Sequence, residues 1–107
     1  MELFTKDILE KAKAQYPLGS DMEKQMIIAK FFNPCGMGTW YLMNMDLEDE
    51  DYCWGICQLF ETEIGSFSRS ELENAKVGFG HGIERDVYFE QINAKELGEK
   101  LIKGVSV

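Results

Sequence analysis

The 107 residues carry 11 Lys and Arg against 19 Asp and Glu, a formal net charge of -8, with 45% hydrophobic and 12% aromatic residues. This length and apolar content suit one domain over residues 1–107 and exclude disorder; no apolar run nears the roughly 20 residues of a bilayer-spanning helix. Arg occurs only at 69 and 85, so no basic patch is available for phosphates and direct nucleic-acid binding is not expected.

Residues 5–16 predict a helix. Thr5 suits the cap and Asp7 the first turn, and Phe4, Ile8, Leu9, Ala12 and Tyr16 recur on one face. Pro17 and Gly19 end it. Residues 25–32 then read as one strand, apolar on both faces and so central in a sheet. The loop Asn33-Pro34-Cys35-Gly36-Met37-Gly38 reverses the chain into a strand over 39–46.

The acidic turn 47–51 leads to a strand over 52–61, with Trp54, Ile56 and Phe60 on one side. A turn at Thr62-Glu63 and a short strand over 64–67 follow. Ser68 and Ser70 each stand three residues before a Glu, the spacing of a capping box, which predicts a helix over 70–76. A glycine-rich loop over 78–82 precedes a strand over 84–91. A last amphipathic helix over 94–103 turns Leu97, Leu101 and Ile102 inward. Short connections favour antiparallel pairing. The expected fold is α+β: a mostly antiparallel sheet of about five strands with two to three short helices on one face or end.

Three ordered motifs resemble a small bacterial family, the domain of unknown function numbered 2958. They are Phe31-Phe32-Asn33-Pro34 with Thr39-Trp40-Tyr41 and Asp46; Gly65-x-Phe67-Ser68-x-x-Glu71-Leu72-Glu73; and Ile83-Glu84-Arg85-Asp86-Val87-Tyr88-Phe89. Cys35 and Gly82 depart from the family pattern. The resemblance covers roughly 25–90. It implies a compact domain often carried by plasmids, phage or other mobile elements, and no established activity, cofactor or catalytic residue.

Several residue groups compete as functional candidates. Asp46, Glu48, Asp49, Glu50 and Asp51 invite a cation, but position six of an EF-hand loop would be Asp51 rather than Gly, and position twelve Cys57 rather than Glu. A solvated hairpin turn, or a contact for a basic protein, fits them better. Trp40, Tyr41, Tyr52 and Trp54 lie on alternating strands, so half of them face away from any one core layer. They are either packing residues or, beside the acidic turn, a surface for a protein partner. Glu84, Arg85 and Asp86 form either a structural ion pair or, with His81, the site of a small enzyme or ligand binder.

Cys35 with His81 is the one thiol–imidazole combination, and no helix end precedes Cys35 to lower its pKa. Gly36-x-Gly38 and Gly78-x-Gly80-x-Gly82 run into strands, unlike phosphate loops, which open a helix. Cys53 and Cys57 on one strand stand about 13 Å apart, too far for a disulfide.

The expectation is therefore an accessory or protein-interaction domain rather than an enzyme, with no cofactor and no metal. Its partner-binding residues are Trp40, Tyr41, Glu48, Asp49, Glu50, Asp51 and Trp54. The alternative is a ligand site on His81, Glu84, Arg85 and Asp86. Met1-Glu2-Leu3-Phe4 lacks the basic start of a signal peptide, so a cytoplasmic location is expected.

Overall fold

The computed structural model describes residues 1–105 and 107. Helix α1 spans Lys6–Ala14, and the Thr5 hydroxyl accepts the Ile8 N–H at 3.3 Å to cap it. A single 3-10 turn, Tyr16–Leu18, carries Pro17 and ends at Gly19, whose φ of 54° needs no Cβ to be accommodated. The strands are β1 Met26–Ile27, β2 Ala29–Phe32, β3 Thr39–Met45, β4 Tyr52–Gln58, β5 Thr62–Ser68, β6 Glu84–Arg85 and β7 Ile92–Asn93. Helix α2 is Arg69–Asn74 and α3 is Ala94–Ile102. The main sheet runs β5-β4-β3-β2-β6 with every pair antiparallel, and β1 with β7 makes a separate antiparallel ribbon. The fold is α+β.

The sequence predicts the helices on one face or end of the sheet; α1 and α2 pack on one face and α3 on the other. Phe31, Leu42, Met45 and Cys53 pack with Ile8 and Ala12 of α1 and Leu72 of α2. Tyr41, Met43 and Ile56 project the other way and pack with Ala94 and Leu97 of α3. The reason lies in β3: Tyr41 through Met45 are all buried, so both of its faces must be covered.

Other boundaries differ for identifiable reasons. The segment 25–32 is two strands rather than one, because β1 leaves the main sheet at Ile28 to pair with β7. The strand begun at 52 stops at Gln58. Leu59 to Glu61 form the turn, Phe60 is 93% exposed rather than beside Trp54 and Ile56, and β5 starts at Thr62 rather than beyond it. The strand expected over 84–91 ends at Arg85, because the Asp86 carboxylate accepts the Tyr88 N–H at 2.9 Å and folds a turn. Ile102 lies at the end of α3 and is exposed rather than inward.

One irregularity organises the centre. The β3–β4 register shifts between Leu42 and Asn44, a bulge that keeps Met43 and Asn44 from alternating simply. Gly55 stands opposite it. A Cβ there would lie 1.9 Å from the Tyr41 carbonyl oxygen, so the bulge requires glycine.

Candidate functional site

The β3–β4 turn is built from its own carboxylates. Asp46 accepts the N–H groups of Glu48 at 2.8 Å and Asp49 at 3.0 Å, and Asp49 accepts that of Asp51 at 3.1 Å. These short side-chain loops are what Asp does best in turns. Asp51 then reaches the start of α2, taking the Ser70 N–H at 2.7 Å and the Ser68 hydroxyl at 2.9 Å. Glu50 pairs with Lys13 of α1 and lies 3.7 Å from Arg69.

Each of these bonds favours the ionised acid. The Asp46 carboxyl is held below its ordinary value by the N–H groups of Asp49 and Glu48, with the Tyr16 hydroxyl adding to them. Glu50 is lowered by its hydrogen bond and charge pairing with Lys13. Asp51 is lowered by the Ser70 hydroxyl and N–H and then by Ser68. The Tyr16 hydroxyl titrates higher than usual because it donates to Asp46.

Asp46, Glu50 and Asp51 therefore do most to hold the turn, and Asp49 adds one bond. Glu48 and Asp49 project from it into solvent, and neither forms an ion pair among the described residues. Exposed Leu47 sits between the anchoring Asp46 and these two, and Tyr52 at the start of β4 is 44% exposed. Tyr16 stands beside Asp46 and is 37% exposed. It had been assigned to the buried stripe of α1, but the helix stops at Ala14 and the 3-10 turn swings it out. The signal was Pro17, which changes the helical period at that point.

The aromatic candidates separate. Trp40 packs on the α1–α2 face with Val77 and Ala75. Tyr41 is buried on the α3 face, 6.2 Å from Phe89, where burial raises its hydroxyl pKa. Trp54 is half-buried on that same face, with its indole N–H enclosed and no acceptor beside it. Trp40, Tyr41 and Trp54 thus form no single exposed patch.

The alternative ligand residues divide as well. Glu84 lines two shallow clefts: one with His81 and Glu73, the other with Arg85, Asp86, Lys30 and Tyr88. Arg85 donates its Nε–H to the Glu2 carbonyl at 3.3 Å, and Asp86 lies 3.8 Å from Lys30. Among the described residues no three His, Cys, Asp or Glu side chains gather as metal ligands. The Cys35 thiol turns toward the Gly78 carbonyl at 3.7 Å. Burial pushes the Cys53 thiol up to about 12 and Cys57 to about 11, so both stay protonated at neutral pH.

The glycine loop over 78–82 is a tight hairpin. His81 N–H donates to the Gly78 carbonyl at 2.8 Å, and Phe79 and Gly80 both have positive φ, at 51° and 78°. That is the signature of a type I′ turn, here with a Phe, 98% exposed, where Asn or Gly is usual.

A family model described as a protein of unknown function, DUF2958, matches residues 3–97. The chain belongs to that family. The matched span takes in all of α1, the whole main sheet, the β1–β7 ribbon and the start of α3. No curated protein and no solved structure matches the chain. Family membership brings the β3–β4 turn and both clefts inside the shared domain, and brings no activity with it. No helix among the described residues is long and apolar enough to cross a membrane.

Proposed function

We propose that this DUF2958 chain is an interaction module that docks onto a basic protein surface through its β3–β4 turn. Glu48 and Asp49 supply the charge, and Leu47, Tyr16 and Tyr52 supply the contact area. Asp46, Glu50 and Asp51 hold the turn in shape, while Trp40 packs in the core on one face of the sheet and Tyr41 and Trp54 in that on the other. The observation that carries this reading is the division of labour among the acids. Asp46, Glu50 and Asp51 are held by several hydrogen bonds or ion pairs. Glu48 and Asp49 stand exposed without an ion pair among the described residues, and of these two side chains only Asp49 makes a bond within the turn, to the Asp51 N–H. A pre-shaped charged loop binds at little entropic cost, and its charge steers encounter with a basic partner. One form of such a partner is a basic groove that otherwise binds nucleic acid, which the acidic turn would occupy in its place. A role as an accessory protein of a mobile genetic element rests on the family resemblance alone.

The ligand-site reading on His81, Glu84, Arg85 and Asp86 is weakened because His81 lies outside the open cleft that the other three line, and there Arg85 and Asp86 already meet the Glu2 carbonyl and Lys30.

The test is affinity capture from host lysate with the wild-type chain and with the Glu48→Gln, Asp49→Asn double variant, followed by titration of the purified partner. The expected result is a partner whose affinity falls about tenfold or more in the double variant and falls with added salt. A partner bound equally well by both chains overturns the reading.

A further inference from the structure

The two edges of the main sheet are finished differently. At β6 only Glu84 and Arg85 pair, and the N-terminal segment lies against them: Arg85 N–H meets the Met1 Sδ at 3.1 Å and its Nε–H the Glu2 carbonyl. At the other edge β5 pairs with β4 along its full length, Thr62 to Ser68, and no described strand covers its outer side. Proteins guard such edges with Pro, Lys, bulges or shortness. β5 has seven residues, no Pro, no Lys and no register shift against β4.

The hydrogen-bond parity of this edge follows from its neighbours. The Arg69 N–H donates to the Asp51 carbonyl at 3.0 Å, and the Asp46 N–H to the Tyr52 carbonyl at 3.1 Å. Alternation along antiparallel pairs then directs the backbone groups of Glu63, Gly65 and Phe67 toward β4, and those of Thr62, Ile64, Ser66 and Ser68 outward.

We propose that a second copy of the chain pairs with this edge, β5 antiparallel to β5, about a two-fold axis through Gly65, so that two main sheets become one. This register places Thr62 against the partner's Ser68 and Ile64 against the partner's Ser66, and it is the one that engages all four outward-facing residues. The side chains agree with it. Gly65 meets its own copy in a pair without direct hydrogen bonds, where Cα atoms approach to about 4.5 Å, and open space surrounds it. Glu61 falls opposite the partner's Arg69, a guanidinium of complementary charge whose side chain is 24% exposed and also pairs with its own Glu50 and Glu73. On the other face Ile64, 49% exposed, and Ile102, 83% exposed, line an apolar cleft with Met22, Ile56 and Gly98. The axis brings the two copies of this cleft together and covers them. An unrelated strand would satisfy the same backbone groups but would have no reason to match the glycine or the charge pair. Each copy carries a net charge of -8, so the association strengthens as salt rises.

Sedimentation equilibrium from micromolar to millimolar concentration tests this. The wild-type chain is expected to dimerise. Ser66→Pro removes an outward N–H from each copy and leaves the β4 ladder intact; two lost hydrogen bonds weaken the dimer by about thirtyfold. Ile64→Lys places a charge at the edge and weakens it at least as much. Far-UV circular dichroism and the thermal midpoint verify that each variant monomer folds. The register is read by oxidation in a Cys35→Ser background: Gly65→Cys cross-links readily, and Glu63→Cys does not. A monomer throughout this range, a dimer indifferent to both edge variants, or cross-linking at position 63 in preference to 65 overturns the proposal.

Discussion

Asn44 donates a hydrogen bond to Gln25 at 3.0 Å, and both amides are buried. Asn44 also donates to the Gly19 carbonyl at 2.9 Å, and Gln25 donates to the carbonyls of Gly19 at 3.0 Å and Asp21 at 2.7 Å. The bulge in β3 thus presents a side chain that fastens the loop between α1 and β1. Asn44→Ala or Gln25→Ala leaves a buried polar partner unmet and is expected to cost about 1–3 kcal/mol in urea unfolding. The double variant should lose less than the sum, because the second change removes the orphaned group.

Gly55→Ala adds a methyl where the Tyr41 carbonyl already stands. Moving a backbone oxygen is harder than moving a side chain, so the loss should reach the upper end of the about 1–3 kcal/mol typical of overpacking. Gly65→Ala, on the neighbouring strand with open space around it, should be close to neutral in the same assay.

Phe79 sits at a positive φ of 51° while almost wholly exposed. It contributes backbone strain and little burial. Phe79→Asn, a residue that tolerates this conformation, is expected to raise stability by about 1 kcal/mol, measured as the shift in urea midpoint at constant slope.

Trp54 encloses an indole N–H that has no acceptor. Trp54→Phe loses packing volume and also removes that stranded donor. The two effects oppose, so stability should stay within about 1 kcal/mol of wild type. Trp40→Ala, which empties space in the α1–α2 core, should cost about 3 kcal/mol or more.

Stability should fall at both ends of the pH scale. Cys53 and Cys57 have ordinary values of 9.0 and folded values of about 12 and about 11, raised by burial. A raised value means the folded state resists ionisation; stability is full below pH 9 and is lost as pH rises toward these folded values. Asp46, Glu50 and Asp51 are lowered, so their contribution is present above their unfolded values and lost as pH falls through their folded ones. Urea midpoints across pH check both limbs, and Cys53→Ala should flatten the alkaline one.

The α1, α2 and α3 boundaries were legible because capping residues mark them: Thr5, Ser68 and the glycine after Lys103 are local signals. The order of antiparallel strands was legible because its turns are short. What local patterns could not carry was pairing at a distance. Nothing in Met26 and Ile27 says that their partners are Ile92 and Asn93, so one apolar run looked like one strand. The acidic turn was legible as a cluster, but its roles were not. Glu50 and Asp51 are distinguished from Glu48 and Asp49 by what α1 and α2 place beside them, and Asp46 by the two turn N–H groups that it accepts. Trp40, Tyr41 and Trp54 looked like a patch for the same reason: alternation separates their faces, and only coordinates show that both faces are covered.

The ribbon formed by β1 and β7 joins the first third of the chain to its last sixth. A ribosome must therefore deliver nearly all of the polypeptide before Met26 and Ile27 acquire their neighbours. Until then Ile27 waits for its partner strand, while Met26 already has the Gln15 side chain on both its N–H and its carbonyl, and the meander from β2 to β5 assembles next door. Closing so long a loop carries the largest entropic cost of any pairing in the fold. A chain halted before Ile92 would keep its central meander and leave this second pairing site open, besides the uncovered β5 edge, to a chaperone or a wrong strand.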